Sequence, residues 1–236
     1  YGIRAVIEAI NSKKDIDKVF IQTGLKGKLI GQLESLIRKN KINFSYVPTQ
    51  KLDRLSKKNH QGVIARISPI KFFDINEFSE IIEKSKIPFI LILDQISDVR
   101  NFGAIIRTAE ISGVDGIIIQ NSSSAPVNSD TVKTSAGAIF NIPICKVSHI
   151  KDAIYHLQSM DISIICASEK AEKNIYDVNF KRPVAIVMGS EQKGINKSVL
   201  SLSNEMVKLP MFGKIESLNV SVACGIFLYE VVRQRI

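Results

Sequence analysis

Residues 89–109, FILILDQISDVRNFGAIIRTA, join a wholly apolar run to a stretch with helical spacing through a short polar loop. The consecutive apolar residues 89–93 are typical of a parallel strand that is covered on both faces. Asp98 and Asn101 stand where the following helix would begin, and both are residue types that cap helices. The stretch therefore predicts one strand-loop-helix step of an α/β fold.

The same alternation continues to the end of the chain. Further apolar runs lie at GIIIQ (116–120), IPICKV (142–147), ISIICA (162–167) and VAIVMG (184–189). Stretches with helical spacing are SDTVKTSAGAIF (129–140), SHIKDAIYHLQSM (148–160) and a closing helix within 216–235. Strands that alternate with helices predict the α/β class with a mostly parallel sheet. The small residues Ser221, Ala223, Cys224 and Gly225 would let another element pack closely against the closing helix.

The first 70 residues form a separate pattern. An amphipathic start at 2–10 and a helical stretch at 25–40 alternate with strand-like runs at 18–22, 42–47 and 62–67. The basic segment KLDRLSKKNH (51–60) lies between the last two runs, as a helix or loop. We expect a small α/β domain over 1–70, a linker over 71–87 that Pro88 ends, and a second domain over 88–236.

The positive charge is concentrated in the first domain. Residues 1–70 carry 14 Lys and Arg against 5 Asp and Glu, whereas residues 71–236 carry 18 of each sign. A basic unit beside a neutral one is expected when one part binds a polyanion and the other performs chemistry. The candidate phosphate contacts are Lys51, Arg54, Lys57 and Lys58. A merely solvated basic surface is the alternative.

Composition excludes several classes of protein. With 45% hydrophobic and 23% charged residues, the chain has no apolar run of the roughly 20 residues that a membrane helix needs. Its first residues lack the pattern of a secretory signal. The three cysteines, Cys145, Cys166 and Cys224, form no CxxC pair, which favours reduced, buried thiols in a cytoplasmic protein. The three histidines, His60, His149 and His156, show no metal-ligand spacing, so we expect no metal.

Three polar, glycine-bearing loops are the candidate site. They follow apolar runs or precede the closing helix, at 94–109, 188–195 and 209–225. Ligands of open α/β sheets bind at the carboxyl ends of strands. Taken singly, these residues have ordinary structural roles as helix caps and turn glycines. Neither GxGxxG nor GxxxxGK[ST] occurs, which disfavours a nucleotide-dependent dehydrogenase.

Together the three loops resemble the three motifs of SpoU-type (TrmH) ribose methyltransferases, members of the SPOUT superfamily. NFGAIIRTA (101–109) resembles motif one, MGSEQKGI (188–195) motif two, and LPMFGKIESLNVSVACGI (209–226) motif three. YGIRAVIEAI (1–10) and HQGVIA (60–65) resemble the ribosomal-protein-like RNA-binding domain of the bacterial RlmB branch. The resemblance covers nearly all of 89–236. Departures are Leu209, where isoleucine is frequent, and Gln192 and Lys193 at variable positions.

The resemblance implies a fold, a reaction and an assembly. It implies a trefoil-knotted methyltransferase domain and S-adenosylmethionine-dependent methylation of a ribose 2'-hydroxyl, of a guanosine in large-subunit (23S) ribosomal RNA. It also implies a homodimer with the closing helix at the interface and a site that includes residues of both chains. The residues implied for cofactor binding are Gly189, Leu209 and Leu218. Those implied for catalysis are Arg107, Asn101, Glu191, Ser217 and Asn219.

Arg107 would be an awkward general base, because the pKa of an arginine lies above about 12. Binding the adjoining phosphate and stabilising the developing alkoxide ask less of it, and we expect Glu191 to orient it. A tRNA ribose as substrate, or an RNA-binding assembly factor without turnover, are the alternative functions.

Overall fold

The computed structural model describes residues 1–215 and 217–236. The chain divides into two compact units, residues 1–71 and residues 72–236. Motif three includes Glu216, which lies outside the described residues.

The first unit is a three-stranded sheet with helices on both faces. Its elements are α1 (Ile3–Asn11), β1 (Ile16–Gln22), α2 (Lys28–Lys39), β2 (Phe44–Val47), α3 (Thr49–Leu55) and β3 (Val63–Ile67). The strand order is β2-β1-β3, with β1 parallel to β2 and antiparallel to β3. Each strand predicted in residues 1–70 is present, and the basic segment begins in α3.

Alternation along β1 assigns its side chains to two different cores. Val19 and Ile21 are fully buried with the apolar residues of α1 and α2. Phe20, between them, packs instead with Val47 and with Leu52 of α3. Successive side chains of a strand point to opposite faces, so this pattern places α3 on the sheet face opposite the two longer helices.

The second unit is a seven-stranded sheet in which every pair of strands is parallel. The order is β6-β5-β4-β9-β7-β10-β8. The strands are β4 (Phe89–Asp94), β5 (Gly116–Gln120), β6 (Ile144–Val147), β7 (Ser163–Ala167), β8 (Lys173–Asn174), β9 (Val184–Gly189) and β10 (Glu205–Lys208). The helices are α4 (Ile75–Ile82), α5 (Val99–Ile111), α6 (Ser129–Thr134), α7 (Ile150–Ser159), α8 (Lys197–Leu200) and α9 (Val220–Arg235). The predicted α/β class with a parallel sheet is confirmed.

Strands β4 and β9 lie side by side at the centre of this sheet, and their pairing brings two of the candidate loops together. All six residues of β4 are buried, as expected for a strand covered on both faces. The register pairs Phe89 with Val184 and, at the other end, Asp94 with Gly189. The loops that follow these two strands therefore start next to each other.

The segment 71–87 differs from the linker expected there. Residues Ile75–Ile82 form α4, which belongs to the second unit, and Phe78 and Ile82 are fully buried in its core. Asp74 caps the helix in a capping box with Glu77. The charged residues of this segment occupy the outer face of an amphipathic helix, which a search for continuous apolar runs passes over.

Two further elements depart from the expectations. The helical stretch predicted over 129–140 is divided into α6 and a 3-10 turn at Ala138–Phe140, because Ala136 and Gly137 adopt positive φ angles of 50° and 83°. Strands β8 and β10 are short and polar, and their composition gave no strand signal. The trefoil knot stays a prediction.

The cysteines are buried and free of disulfide bonds. Burial raises the pKa of the thiols of Cys145, Cys166 and Cys224 to about 12, so these thiols remain protonated at neutral pH. Among the described residues, none of the helices combines the length and the apolar character needed to cross a membrane.

Candidate active site

The end of β4 anchors two of the candidate loops. Asp94 is buried, and its Oδ2 accepts a hydrogen bond of 2.7 Å from the backbone N–H of Asn196. This bond ties the loop after β9 to the end of β4. Asp98 then caps α5 by accepting from the N–H of Asn101 at 2.8 Å. The first turn of α5, which carries Asn101, is thus fixed beside the loop after β9.

The loop after β9 is a tight turn that requires glycine at two positions. Gly194 donates its N–H to the carbonyl of Ser190 at 2.8 Å, and it adopts a φ of 65°. A Cβ atom added to Gly189 would lie 2.3 Å from the carbonyl carbon of Gly194 and 2.3 Å from the nitrogen of Ile195. Real Cβ atoms do not approach backbone this closely. Gly189 therefore permits the chain to fold back on itself.

Asn101, Glu191 and Asn219, one from each motif, form a hydrogen-bonded group that we call the three-loop cluster. Asn101 and Asn219 donate their side-chain N–H groups to Glu191 Oε1 at 3.1 Å and 2.7 Å. Asn219 also donates to Asn101 Oδ1 at 3.0 Å. The N–H of Val220 points to the same Glu191 oxygen at 3.3 Å. The cluster connects three loops that are far apart in sequence.

The capping of α9 fixes the orientation of the Asn219 amide. Its Oδ1 accepts from the N–H groups of Ser221 at 2.9 Å and Val222 at 3.4 Å, which leaves the amide nitrogen to face Glu191. The Glu191 carboxylate thus lies at the N-terminus of a 16-residue helix, where the helix dipole favours negative charge. Glu191 Oε2 accepts no hydrogen bond from the described part of the chain.

A cavity of about 610 Å³ lies beside the cluster, and we call it the first cavity. The three residues predicted to bind the cofactor, Gly189, Leu209 and Leu218, all line it. So do Glu191, Ser217 and Asn219 of the predicted catalytic set. Its size is within the range of small-molecule sites. The structure thus brings the loops of motifs two and three to the border of one cavity, and the three-loop cluster connects motif one to them through Asn101.

A smaller cavity of about 330 Å³, the second cavity, adjoins the first. Asn101 and Asp98 line it, together with Gln95, and it shares the loop residues 190–193 and Val220 with the first cavity. The three-loop cluster therefore stands between two openings. This arrangement can hold a small molecule on one side and admit a second reactant from the other.

Arg107 is the predicted catalytic residue that the structure does not bring to this site. Its side chain is exposed on α5, it lines neither cavity, and it makes no hydrogen bond or ion pair with the described residues. Glu191 Oε1 accepts from the two asparagines and not from Arg107, so the expectation that Glu191 orients Arg107 stays a prediction. Helix α5 packs against α9 at the adjacent Thr108, which faces Gly225. A Cβ added to Gly225 would lie 3.7 Å from Cγ2 of Thr108.

The small residues of α9 let another element of the same chain, α5, pack closely against this helix. Gly225 allows α9 to pack against α5, Cys224 is fully buried, and Ala223 lines the first cavity. They serve packing within the chain. The exposed apolar residues of α9 are instead Val222, Ile226 and Tyr229, which are 52%, 37% and 51% exposed and share one helix face.

Two positioning residues, Asp94 and Asn196, were not among the predicted site residues. The signal for Asp94 was present, because an acidic residue at the end of a fully apolar strand must find a partner when it is buried. Asn196 caps α8 and supplies that partner through its backbone, which no side-chain pattern reveals.

Family models match both units of the chain. The model described as the SpoU rRNA Methylase family matches residues 88–229. The model described as RNA 2'-O ribose methyltransferase substrate binding matches residues 1–73. These two matches cover nearly the whole sequence.

Curated relatives align along their full length. The chain is 34% identical over 236 residues to the TrmH family tRNA/rRNA methyltransferase YacO of Bacillus subtilis, covering 99% of this chain and 94% of the relative. It is 34% identical over 242 residues to the 23S rRNA (guanosine-2'-O-)-methyltransferase RlmB of Vibrio vulnificus, covering 100% of this chain and 96% of the relative.

Solved structures share the fold. The SpoU methyltransferase AviRb of Streptomyces viridochromogenes, in complex with AdoMet, superposes with a TM-score of 0.64 at 21% identity. The alignment covers 99% of this chain and 88% of the AviRb chain. The TrmH/SpoU tRNA modifying enzyme of A. aeolicus has a TM-score of 0.59 at 28% identity and covers 68% of this chain and 82% of its own. From the family-model match and the full-length relatives, we conclude that this chain belongs to the SpoU family of RNA 2'-O-ribose methyltransferases.

Proposed function

We propose that this protein transfers the methyl group of S-adenosylmethionine to a ribose 2'-hydroxyl of a guanosine in large-subunit ribosomal RNA. The observation that carries the proposal is the first cavity, bordered by Gly189, Leu209 and Leu218 and placed directly beside the three-loop cluster. The 23S rRNA specificity of the RlmB relative and the AdoMet complex of AviRb support the choice of substrate and cofactor.

The residues of the first cavity suit S-adenosylmethionine. Gly189 exposes backbone at the cavity wall, Leu209 and Leu218 offer apolar surface, and the turn 190–194 presents further main-chain groups. A main-chain contact at 209 explains why leucine serves there as well as isoleucine. The cofactor would supply an activated methyl carbon, and the protein has to hold it in line with the attacking oxygen.

The three-loop cluster would prepare the attacking ribose. Asn101 and Asn219 hold Glu191 in one orientation, and its free Oε2 can accept a hydrogen bond from a sugar hydroxyl. Ser217, at the border of the first cavity, can donate to cofactor or ribose. These roles require two reactants to meet at the cluster, which its place between the two cavities allows.

We place Arg107 at a site completed by a second copy of the chain. Arg107 is exposed beside α9, whose apolar face Val222, Ile226 and Tyr229 has no partner among the described residues. Pairing of two such faces in a homodimer would bury them and would carry Arg107 of one copy toward the other copy. Arg107 would then bind the phosphate beside the target ribose and stabilise the developing alkoxide.

The first unit would dock the RNA. Residues 1–70 carry the whole positive excess of the chain, and Arg54, Lys57 and Lys58 are exposed at and beyond the end of α3. Recognition of folded RNA by shape and phosphates needs such a surface, and the second unit is left to reach one exposed ribose.

The proposal is tested by methylation of defined RNA. The full chain is incubated with methyl-labelled S-adenosylmethionine and either a 23S rRNA transcript or a tRNA mixture, and 2'-O-methylation is mapped by resistance to alkaline hydrolysis. We expect one modified guanosine in the 23S transcript. Modification of tRNA and not of the 23S transcript would show that the substrate is a tRNA. Calorimetry that detects no S-adenosylmethionine binding would favour the assembly-factor alternative.

Arg107→Ala tests the catalytic assignment. We expect turnover to fall to background while S-adenosylmethionine affinity changes less than about twofold, because Arg107 lies outside the first cavity. Lys151→Ala, which removes an exposed cation from α7, is the control and should keep full activity. Normal turnover of Arg107→Ala would remove Arg107 from the mechanism.

The dimer is tested separately by sedimentation of Tyr229→Lys. A charged side chain in the middle of the apolar face should yield a folded monomer that still binds S-adenosylmethionine but does not turn over. A wild-type chain that sediments as a monomer and is fully active would refute the shared site.

A further inference from the structure

Three cations in the first unit converge on one aromatic ring. Lys18 Nζ lies 5.6 Å from the ring centroid of Phe20, Lys51 Nζ lies 5.8 Å from it, and the guanidinium carbon of Arg66 lies 6.0 Å from it. The three residues come from β1, α3 and β3 and lie at the sheet face that α3 covers. We call this group the cation cluster.

Because the three cations surround one ring and carry charge of the same sign, they repel one another. The pKa of the Lys18 ammonium is lowered from its ordinary value, first by partial burial and then by the charges of Lys51 and Arg66. Asp17 acts in the opposite direction but only as the smallest of these influences. The ring of Phe20 compensates part of the repulsion, since cation-π attraction is worth about 0.5–1 kcal/mol at exposed sites. The cluster remains a site of excess positive charge.

Arg66 is held in place within this cluster. Its Nε and Nη2 both lie 2.6 Å from Oδ2 of Asp17, whose side chain is only 6% exposed. The Asp17 carboxylate binds one edge of the guanidinium and so restricts the rotamers of Arg66. The other edge of the guanidinium can still donate hydrogen bonds to a ligand. Lys51, by contrast, is exposed, and Lys18 is half-buried.

We propose that Lys18, Lys51 and Arg66 bind one phosphate group of the RNA backbone. A backbone phosphate offers two non-bridging oxygens, each of which can accept more than one hydrogen bond, to three cations of different elements, and its charge would reduce their mutual repulsion. A stacked base does not fit, because Phe20 is 7% exposed and its ring is already covered by apolar neighbours and cations. The proposal rests on the proposed function in one respect, that the polyanion is RNA.

The test compares two triple variants of the full chain that remove equal charge. K18Q/K51Q/R66Q removes the cation cluster, and K13Q/K14Q/K39Q removes three exposed lysines of the same unit that lie away from Phe20. Affinity for the 23S rRNA transcript is measured by filter binding over a series of KCl concentrations. Melting temperature and S-adenosylmethionine affinity are measured for both variants to establish that they are folded.

We expect the cluster variant to lose about tenfold in RNA affinity at low salt and about one unit of the salt-dependence slope, as for one phosphate contact. The control variant should lose clearly less of both. Equal losses in the two variants, or an unchanged slope in the cluster variant, would overturn the phosphate site. Methylation by the wild-type chain is scored independently, so a failure of the proposed reaction is distinguishable from a failure of this site.

Discussion

The three-loop cluster and the cation cluster are organised in opposite ways. In the second unit, Asn101, Glu191 and Asn219 hydrogen-bond to one another, and the carboxylate lies where a helix dipole favours it. In the first unit, Lys18 and Lys51 stand with Arg66 around one ring, and like charges face each other. The three-loop cluster is held together by its own hydrogen bonds, whereas the cation cluster keeps an excess of positive charge.

This difference corresponds to two kinds of work. Chemistry requires reacting groups to be held in a fixed geometry, which a network of mutual hydrogen bonds provides. Docking of a polyanion requires positive charge that the protein itself has not neutralised. Substitutions in the second unit should therefore act through geometry, and those in the first through charge.

The largest effect is expected from Gly189→Ala. The added methyl group would lie 2.3 Å from backbone of the turn 190–194, so the turn has to move and the wall of the first cavity with it. We expect S-adenosylmethionine affinity to fall at least about 100-fold in calorimetry. Gly213→Ala, in the third loop, meets no atom within 4 Å and should bind as the wild type does. Unchanged affinity of Gly189→Ala would contradict a main-chain contact there.

Arg235→Ala should have the next largest effect, on the stability of the second unit. The guanidinium donates to the backbone carbonyls of Phe180, Ile87 and Arg182 at 3.0, 2.8 and 2.7 Å, and it lies over the ring of Phe89. Loss of these bonds should lower the free energy of unfolding by about 2–3 kcal/mol, measured by urea denaturation. Arg235→Lys keeps the positive charge but not the planar set of guanidinium N–H donors. If the lysine variant is as stable as the wild type, the role of Arg235 is not geometric.

A smaller effect separates the two tasks of Asn219. Asn219→Ala removes both the cap of α9 and the hydrogen bond to Glu191. It should lower the free energy of unfolding by about 1 kcal/mol and should also lower the turnover rate. Asn219→Ser retains a capping oxygen but not the amide nitrogen, so it should melt near the wild-type temperature while turnover still falls. If Asn219→Ser is fully active, the three-loop cluster serves only to cap the helix.

The sequence predicted the central strands because their burial on both faces leaves continuous apolar runs. Strand β4, with all six residues buried, is the clearest case. Helix α4 was missed although Asp74 and Glu77 form a capping box, because polar and charged residues interrupt its apolar ones, as Ser79 and Glu80 do between Phe78 and Ile82. Strand β10 was missed because its pairing with β7 and β8, and not its four residues, makes it a strand.

The site was predicted through the motif resemblance and not through residue pattern. Three segments far apart in sequence meet at the three-loop cluster, between the two cavities, only because the sheet orders its strands as it does. Lys51 was predicted as a phosphate contact, but its grouping with Lys18 and Arg66 was missed for the same reason, since the three are neighbours only after β1, α3 and β3 have packed. The position of Arg107 outside the cluster was equally inaccessible to sequence reasoning.

The smallest expected effect is a gain in stability, and it separates the influence of backbone entropy from that of side-chain packing. Gly31 lies on an exposed face of α2, and a Cβ added there would meet no atom within 4 Å. Gly31→Ala should raise the stability of the first unit by about 0.5–1 kcal/mol, because alanine loses less conformational entropy in a helix. The same substitution is expected to disable the second unit at Gly189, where the neighbouring atoms are backbone. A destabilised Gly31→Ala, in thermal denaturation followed by circular dichroism, would show that this face of α2 is covered and that the contrast between the two glycines is not one of local space.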